Sequence, residues 1–233
     1  EKISVKSPDE NIQVVFSINN SQPYYKVYYD SILVIDESKL GFIFKDIPPM
    51  FENFKVLDFS ENNFKETWTT VWGTQDLILN EYNELIISLV ESSDLARKLN
   101  IIFRVFDDGV GFRYEFPYHV KLNEIVILDE LTEFKLTGDH NCWWIPGDYD
   151  SYEYLYNNTK LSEIDLRNYN YETRGDRNHP NYKAVNTPIT METEDGLFLS
   201  FHEADLTDYA GITLEANEDL SLKVDLVPWS DGT

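Results

Sequence analysis

Residues 100–116 read NIIFRVFDDGVGFRYEF. Ile101, Phe103 and Val105 recur at every second position before Asp107-Asp108-Gly109, and Phe112, Tyr114 and Phe116 do so after it. An apolar period of two lines one face of a strand, and two such runs about an Asp-Gly pair make a β-hairpin. Asp108-Gly109 is expected to supply the positive φ values of a tight turn. The same alternation recurs outward from this hairpin in residues 12–18, 24–29 and 85–90. Turn-forming clusters interrupt it at short intervals: Ser7-Pro8-Asp9, Asn19-Asn20, Thr137-Gly138-Asp139 and Glu194-Asp195-Gly196. Short strands at this spacing predict an all-β fold, a sandwich of antiparallel sheets. Val15, Phe103, Val105, Phe112, Tyr114 and Leu199 are its expected core.

Helical periodicity is weak, and residues 152–164 are expected to form either a short helix or a loop holding one helical turn. Residues 167–184, RNYNYETRGDRNHPNYKA, are polar and nearly free of aliphatics, so they read as a long surface loop that adds little to the core. No fixed-period repeat and no Ser/Gly/Pro linker divides the chain, which is therefore expected to be a single domain, residues 1–233.

Composition narrows the partners. Hydrophobic residues make up 42% of the 233, with 15 Tyr, 14 Phe and 5 Trp, enough to build a packed core despite the charge. Forty-two Asp plus Glu against 19 Lys plus Arg give a formal charge of −23, which repels the phosphates of nucleic acid and an anionic membrane surface. Neutral sugars, divalent cations and basic proteins remain compatible with that surface. Cys142 stands alone, which excludes an internal disulfide and reads as a buried small hydrophobe. No apolar run is long enough to insert into a membrane, and the opening EKISVKSPDE has no signal-peptide core.

Three stretches have the composition of a site. Residues 138–154, GDHNCWWIPGDYDSYEY, set Trp143, Trp144 and three tyrosines among Asp139, Asp148, Asp150 and Glu153. Aromatic faces stack on sugar C–H surfaces while carboxylates accept from hydroxyls, so the composition suits a saccharide surface; strand alternation sends at least one of the tryptophans into the core. In FHEADLTDYAG, residues 201–211, His202, Glu203, Asp205 and Asp208 follow a strand, as carboxylates of hard-cation sites do, although a solvated acidic turn has the same composition. LVPWSDGT closes the chain on Trp229 and Asp231; a domain rarely stops on such a segment, so the polypeptide is expected to run beyond Thr233. The four histidines, His119, His140, His179 and His202, fall in no triad or zinc spacing.

Read together, SPDENIQVVFSI, LGFIFKD, TWTTVWG, YNEL, IIFRVFDDGVGFRYEFP, LTEFKLTGDHNCWWIPGDYDSYEYLY, NTPITM, HEADLTDYAG and LVPWSDG closely resemble the N-terminal domain of glycoside hydrolase family 97, and in order they cover nearly the whole chain. The resemblance implies a large antiparallel β-super-sandwich, galactose mutarotase-like, that precedes a catalytic TIM-type barrel in a bacterial α-glucosidase or α-galactosidase. Many such enzymes resemble the periplasmic starch-utilisation enzymes of gut Bacteroides, so a periplasmic or extracellular location is implied. The barrel would carry the catalytic carboxylates, and the sandwich none. It also implies a Ca²⁺ held mainly by barrel glutamates with one more from the sandwich, which on HEADL falls on Glu203, and substrate contact from Trp229, Ser230 and Asp231. The expected partners are an oligosaccharide or α-glycoside and the barrel of the same polypeptide. Two departures are Thr74, where an acid is expected after VWG, and residues 167–184, which align with no motif of the family.

Two other classes fit the residues: a stand-alone carbohydrate-binding module with Trp143, Trp144 or Trp229 as its platform, and a mutarotase-like enzyme with a His and a carboxylate within hydrogen-bond reach.

Overall fold

The computed structural model of the chain describes residues 2–120, 122, 124–168 and 177–229. Strand follows strand: β1 (Lys2–Lys6), β2 (Ile12–Asn19), β3 (Gln22–Tyr29), β4 (Ile32–Lys39), β5 (Phe42–Phe44), β6 (Phe54–Thr69), β7 (Leu77–Glu91), β8 (Lys98–Val105) and β9 (Val110–Glu115). There follow β10 (Ile127–Glu130), β11 (Glu133–Leu136), β12 (Asn141–Trp144), β13 (Asn157–Lys160), β14 (Ala184–Asn186), β15 (Ile189–Glu192), β16 (Phe198–Phe201), β17 (Ile212–Ala216) and β18 (Ser221–Leu226). Two short 3-10 turns, Leu161–Glu163 and Leu166–Asn168, complete the described elements. The expected all-β class is what the chain forms. Residues 152–164, where a helix was one option, hold β13 and the first of these turns.

The chain divides into two compact units, one of Glu1–Glu37 with Phe51–Ile125 and one of Ser38–Met50 with Val126–Thr233. In the first, β1 to β3 form an antiparallel meander joined by backbone that turns back on itself tightly. Asn20 and Ser21 both have positive φ, as do Asp30 and Ser31, the pattern of two-residue type I′ turns whose twist matches that of the flanking strands. A second sheet, in the order β6-β7-β8-β9, faces this meander. Tyr25 packs its ring 5.8 Å from Phe103 and 5.4 Å from Phe112 across the gap, with Val14, Phe16, Leu85, Ile87 and Ile101 sealed beside them. This is a sandwich core built by period-two burial from both sheets.

The hairpin of residues 100–116 pairs Asn100 with Glu115 through Val105 with Val110. Its connection is not the tight positive-φ turn expected: neither Asp108 nor Gly109 has positive φ, and Phe106 N–H donates to the Gly109 carbonyl at 2.8 Å. Four loop residues leave room for an ordinary turn, which needs no left-handed backbone. The core also differs by one register at Val15, which is half-buried while Val14 and Phe16 are sealed. Val14 lies between Val5 and Val27, whereas Val15 lies between Ser4 and Lys26, so the neighbouring strands decide which valine faces inward. Phe103 and Val105 are fully buried as expected; Phe112, Tyr114 and Leu199 are half-buried, because β9 and β16 end their sheets and are covered on fewer sides.

In the second unit, β14, β17, β18 and β11 are neighbours in one sheet and β13, β12, β15 and β16 form another. Phe134 of β11 meets Phe201 of β16 at 4.9 Å. Leu136, Leu214, Val224, Cys142, Trp144, Ile189 and Met191 fill the interior. A third, two-stranded sheet pairs β5 with β10.

Candidate functional site

The acid-rich and aromatic stretches of the second unit meet its sheets at the end of β12. Strand alternation separates the two tryptophans: Trp144 is fully buried, with its indole N–H on Thr159 Oγ1 at 3.0 Å, and Trp143 stacks on the exposed Phe198 ring at 6.2 Å. Cys142 is sealed as expected, and burial pushes its thiol up to about 12. Beyond β12 the backbone passes close to β14. A Cβ on Gly147 would lie 2.8 Å from Ala184 Cβ and 2.9 Å from Ala184 C, so only glycine fits where Gly147 N–H donates to the Ala184 carbonyl.

Asp148 then turns the chain. It is buried, and its carboxylate accepts from Asp150 N–H at 3.0 Å, Asn178 N–H at 3.3 Å and the Tyr154 hydroxyl at 2.5 Å. Its own N–H donates to Oδ1 of Asn186, whose amide donates to the Ser151 carbonyl. Burial, followed by the bond to Asp148, pushes the Tyr154 hydroxyl up to about 12, which keeps it a donor. The other acids read as sugar acceptors divide: Asp150 accepts from the Asn178 amide, Asp139 accepts from Ser162 N–H and Oγ, and Glu153 is exposed.

Arg177 ties the same segment from the other side. Its guanidinium donates to the carbonyls of Gly147 at 2.6 Å, His179 at 2.7 Å and Asn181. His179 is buried; its Nδ1 accepts from Asn181 N–H at 3.0 Å, which leaves the proton on Nε2, 2.9 Å from Thr213 Oγ1 and 3.2 Å from Asp225 Oδ2. Tyr149 OH donates to the same Asp225 oxygen at 2.7 Å. Burial alone would raise the Asp225 carboxyl, but the bonds from His179, Tyr149 and Thr213 outweigh it and hold it below the usual carboxylate range. The His-carboxylate pair that a mutarotase-like reaction requires is therefore within reach, yet both ring nitrogens are committed to internal partners. Residues 177–183 form the loop expected, with His179 buried in it, and they lack aliphatics because hydrogen bonds, rather than apolar contacts, fix them.

Glu203 closes the next loop. Its Oε2 accepts from Thr187 Oγ1 at 3.0 Å and its Oε1 from Ile212 N–H, the first residue of β17. It is half-buried and is not a solvated turn acid. Tyr209, from the same loop, donates to Glu130 at 2.7 Å; Thr132 donates to the other oxygen at 2.6 Å, and burial raises the Glu130 carboxyl. Trp229 is 79% exposed, whereas Ser230 and Asp231 lie outside the described residues. Among the described residues no group of three or more His, Cys, Asp and Glu is placed to hold a metal ion. Ca²⁺ takes six to eight oxygens; Glu203 keeps a lone pair on each carboxylate oxygen and could offer one of them, but by itself it makes no site.

Arg177, His179, Asn186, Thr213 and Asp225 are the residues that sequence reasoning missed. The usable signal was Arg177 with His179 in a chain so short of cations, followed by the aliphatic-poor run that needs them. No helix among the described residues is long and apolar enough to cross a membrane.

The sequence profile of the family described as Glycosyl-hydrolase 97 N-terminal matches residues 5–229. A retaining alpha-galactosidase of Bacteroides thetaiotaomicron is 20% identical over 230 residues, covering 94% of this chain and 31% of its own. A glycoside hydrolase family 97 enzyme from Pseudoalteromonas sp. strain K8, solved in complex with acarbose, superposes with a TM-score of 0.88 at 33% identity over 99% of this chain and 32% of that chain. A variant of it was solved with panose. A beta-arabinopyranosidase shares the fold with a TM-score of 0.80 at 22% identity. The chain spans about a third of the length of these relatives.

Proposed function

The chain belongs to the glycosyl-hydrolase 97 N-terminal family, and on that premise we propose that it is the non-catalytic β-sandwich of a calcium-dependent, exo-acting α-glycosidase, an α-glucosidase or α-galactosidase. The observation that carries this reading is coverage: 99% of the chain matches 32% of an enzyme solved with acarbose, which leaves two thirds of that enzyme to hold the chemistry. A periplasmic or extracellular setting is part of the same proposal.

The internal bonding supports a positioning role. Glycoside hydrolysis needs one carboxyl to protonate the leaving oxygen and another to attack or to activate water. Asp148, Asp225 and Glu203 each accept two or more intramolecular bonds, so they are placed to hold loops rather than to exchange protons. Glu203 would supply one oxygen to a calcium ion shared with the barrel. When bound, that ion would help to orient substrate oxygens and catalytic carboxylates. Trp229, 79% exposed, would meet the sugar together with Ser230 and Asp231.

In the longer polypeptide, Glu203→Gln keeps the shape and removes the charge. The expected result is a lower apparent calcium affinity and lower activity, partly restored by excess Ca²⁺. An unchanged calcium titration in a folded variant would remove Glu203 from the metal site.

A further inference from the structure

In the first unit, β6 and β7 stay paired far beyond the sheet to which they belong. β8 covers β7 only from Asn83 to Val90, while the β6–β7 ladder runs on through the six pairs from Phe64↔Tyr82 to Thr69↔Leu77. At about 3.3 Å per residue this extension projects roughly 20 Å, covered at its base, where Tyr82 packs against Phe106, and continuing as a two-stranded ribbon beyond it. Such a ribbon is at best marginally stable in water unless it is covered.

Its composition fits a covered element. Residues directly opposite each other share a face, so Phe64, Trp68 and Ile78 line one side, where Tyr82 is already buried against Phe106 and under the Arg104 guanidinium, and Leu77 and Leu79 line the other. Trp68 is 50% exposed, Leu77 61% and Leu79 56%, and the turn beyond them carries Val71 at 97% and Trp72 at 87%. That turn is closed by Thr70 N–H on the Asp76 carbonyl and Thr70 Oγ1 on the Gln75 carbonyl, so the tip is a defined shape. A saccharide platform would need aromatic rings on one face; apolar side chains on both faces and over the tip fit a protein groove that takes the ribbon from both sides. A second copy of the chain is opposed by the −23 charge that each copy carries.

We propose that the β6–β7 extension, residues 64–82, is the docking arm by which this domain engages the remainder of a longer polypeptide, the part that corresponds to the two thirds of its relatives outside the matched region. The proposal rests on the functional reading above. With Glu66, Asp76 and Glu81 against Lys65, the arm is acidic overall, so its groove is apolar with basic or neutral groups at the rim.

Val71→Cys places a thiol on the exposed tip, where substitution has little effect on folding, while the sealed Cys142 stays silent. The alkylation rate of that cysteine, followed by peptide mass, is compared between the 233-residue chain and the longer polypeptide, with Ile32→Cys, 46% exposed on β4, as the control. The expected result is modification at residue 71 slowed by roughly tenfold or more in the longer polypeptide only, with no such change at residue 32. Equal rates at residue 71 in a longer polypeptide that hydrolyses α-glycosides would overturn the docking arm and leave the functional reading intact. Protection without hydrolysis would support the arm and count against that reading. Protection that appears in the 233-residue chain as its concentration rises would make a second copy the occupant and overturn the proposal.

Discussion

Glu91 and Arg97 in the first unit and Asp148 in the second are buried to the same degree, yet they do different work. The ion pair is bidentate, at 2.5 and 2.6 Å, and closes the short connection from β7 to β8, where Glu91 N–H also donates to the Arg97 carbonyl. It completes a regular ladder and frees no loop for other use. Asp148 accepts from two backbone amides and a tyrosine hydroxyl, and with Arg177 it shapes segments that belong to no strand. Polar burial in the first unit finishes the scaffold, whereas in the second it fixes irregular segments in the vicinity of the residues expected to meet metal and sugar.

Removing one partner of each arrangement gives the comparison numbers. Arg97→Leu leaves Glu91 buried without its counter-charge, and a loss of about 3–5 kcal/mol is expected in denaturant unfolding, while Arg97→Leu with Glu91→Leu recovers most of it. A single variant as stable as wild type would show that the pair is dispensable. Asp148→Ala strands the Tyr154 hydroxyl and two amides, for an expected cost of about 2–3 kcal/mol. Its mark should be local: hydrogen exchange rises in residues 148–154 and 177–181, and the first unit keeps its protection. A uniform rise across both units would erase the distinction.

Glu203→Gln retains one acceptor for Ile212 N–H and loses the charge, so about 1 kcal/mol is expected, with faster exchange at Ile212 as the signature. The smallest effect has the opposite sign. Burial raises the Glu130 carboxyl, so ionising it costs stability; that cost is absent below the ordinary glutamate value near pH 4.3 and grows as pH rises toward the higher folded value. Glu130→Gln, whose amide can still meet the hydroxyls of Thr132 and Tyr209, is expected to gain about 1 kcal/mol or less at pH 7, and the gain should vanish by about pH 4. A gain that persists at pH 4 would point to packing instead of charge.

The same contrast governs how much could be read from the residues alone. The β8–β9 hairpin is visible because Ile101, Phe103 and Val105 keep their alternation even though Ile102 is buried beside them. Val15 misleads because Val14 stands beside it, and only the register against Val5 and Val27 selects between them. The long β6 is hidden because both of its faces mix apolar and polar groups along FKVLDFSENNFKETWT, so no period of two emerges. The hydrogen-bonded segments of the second unit are hidden for another reason. Arg177 reaches the distant Gly147 carbonyl as well as two nearby ones, and Asp225 its histidine, tyrosine and threonine, through contacts that leave no periodic trace. Glu203 was identified through the resemblance on HEADL, while its bonds to Thr187 and Ile212 became visible only in three dimensions.

The most direct test of a non-catalytic sandwich is the purified 233-residue chain incubated with p-nitrophenyl α-glucoside and p-nitrophenyl α-galactoside, with and without added calcium. The expected result is no nitrophenol release above the protein-free rate under either condition, because Asp148, Asp225 and Glu203, the acids closest to a site, already accept bonds that hold loops. Turnover of either substrate that a single substitution within the chain abolishes would contradict this and make the sandwich itself an enzyme.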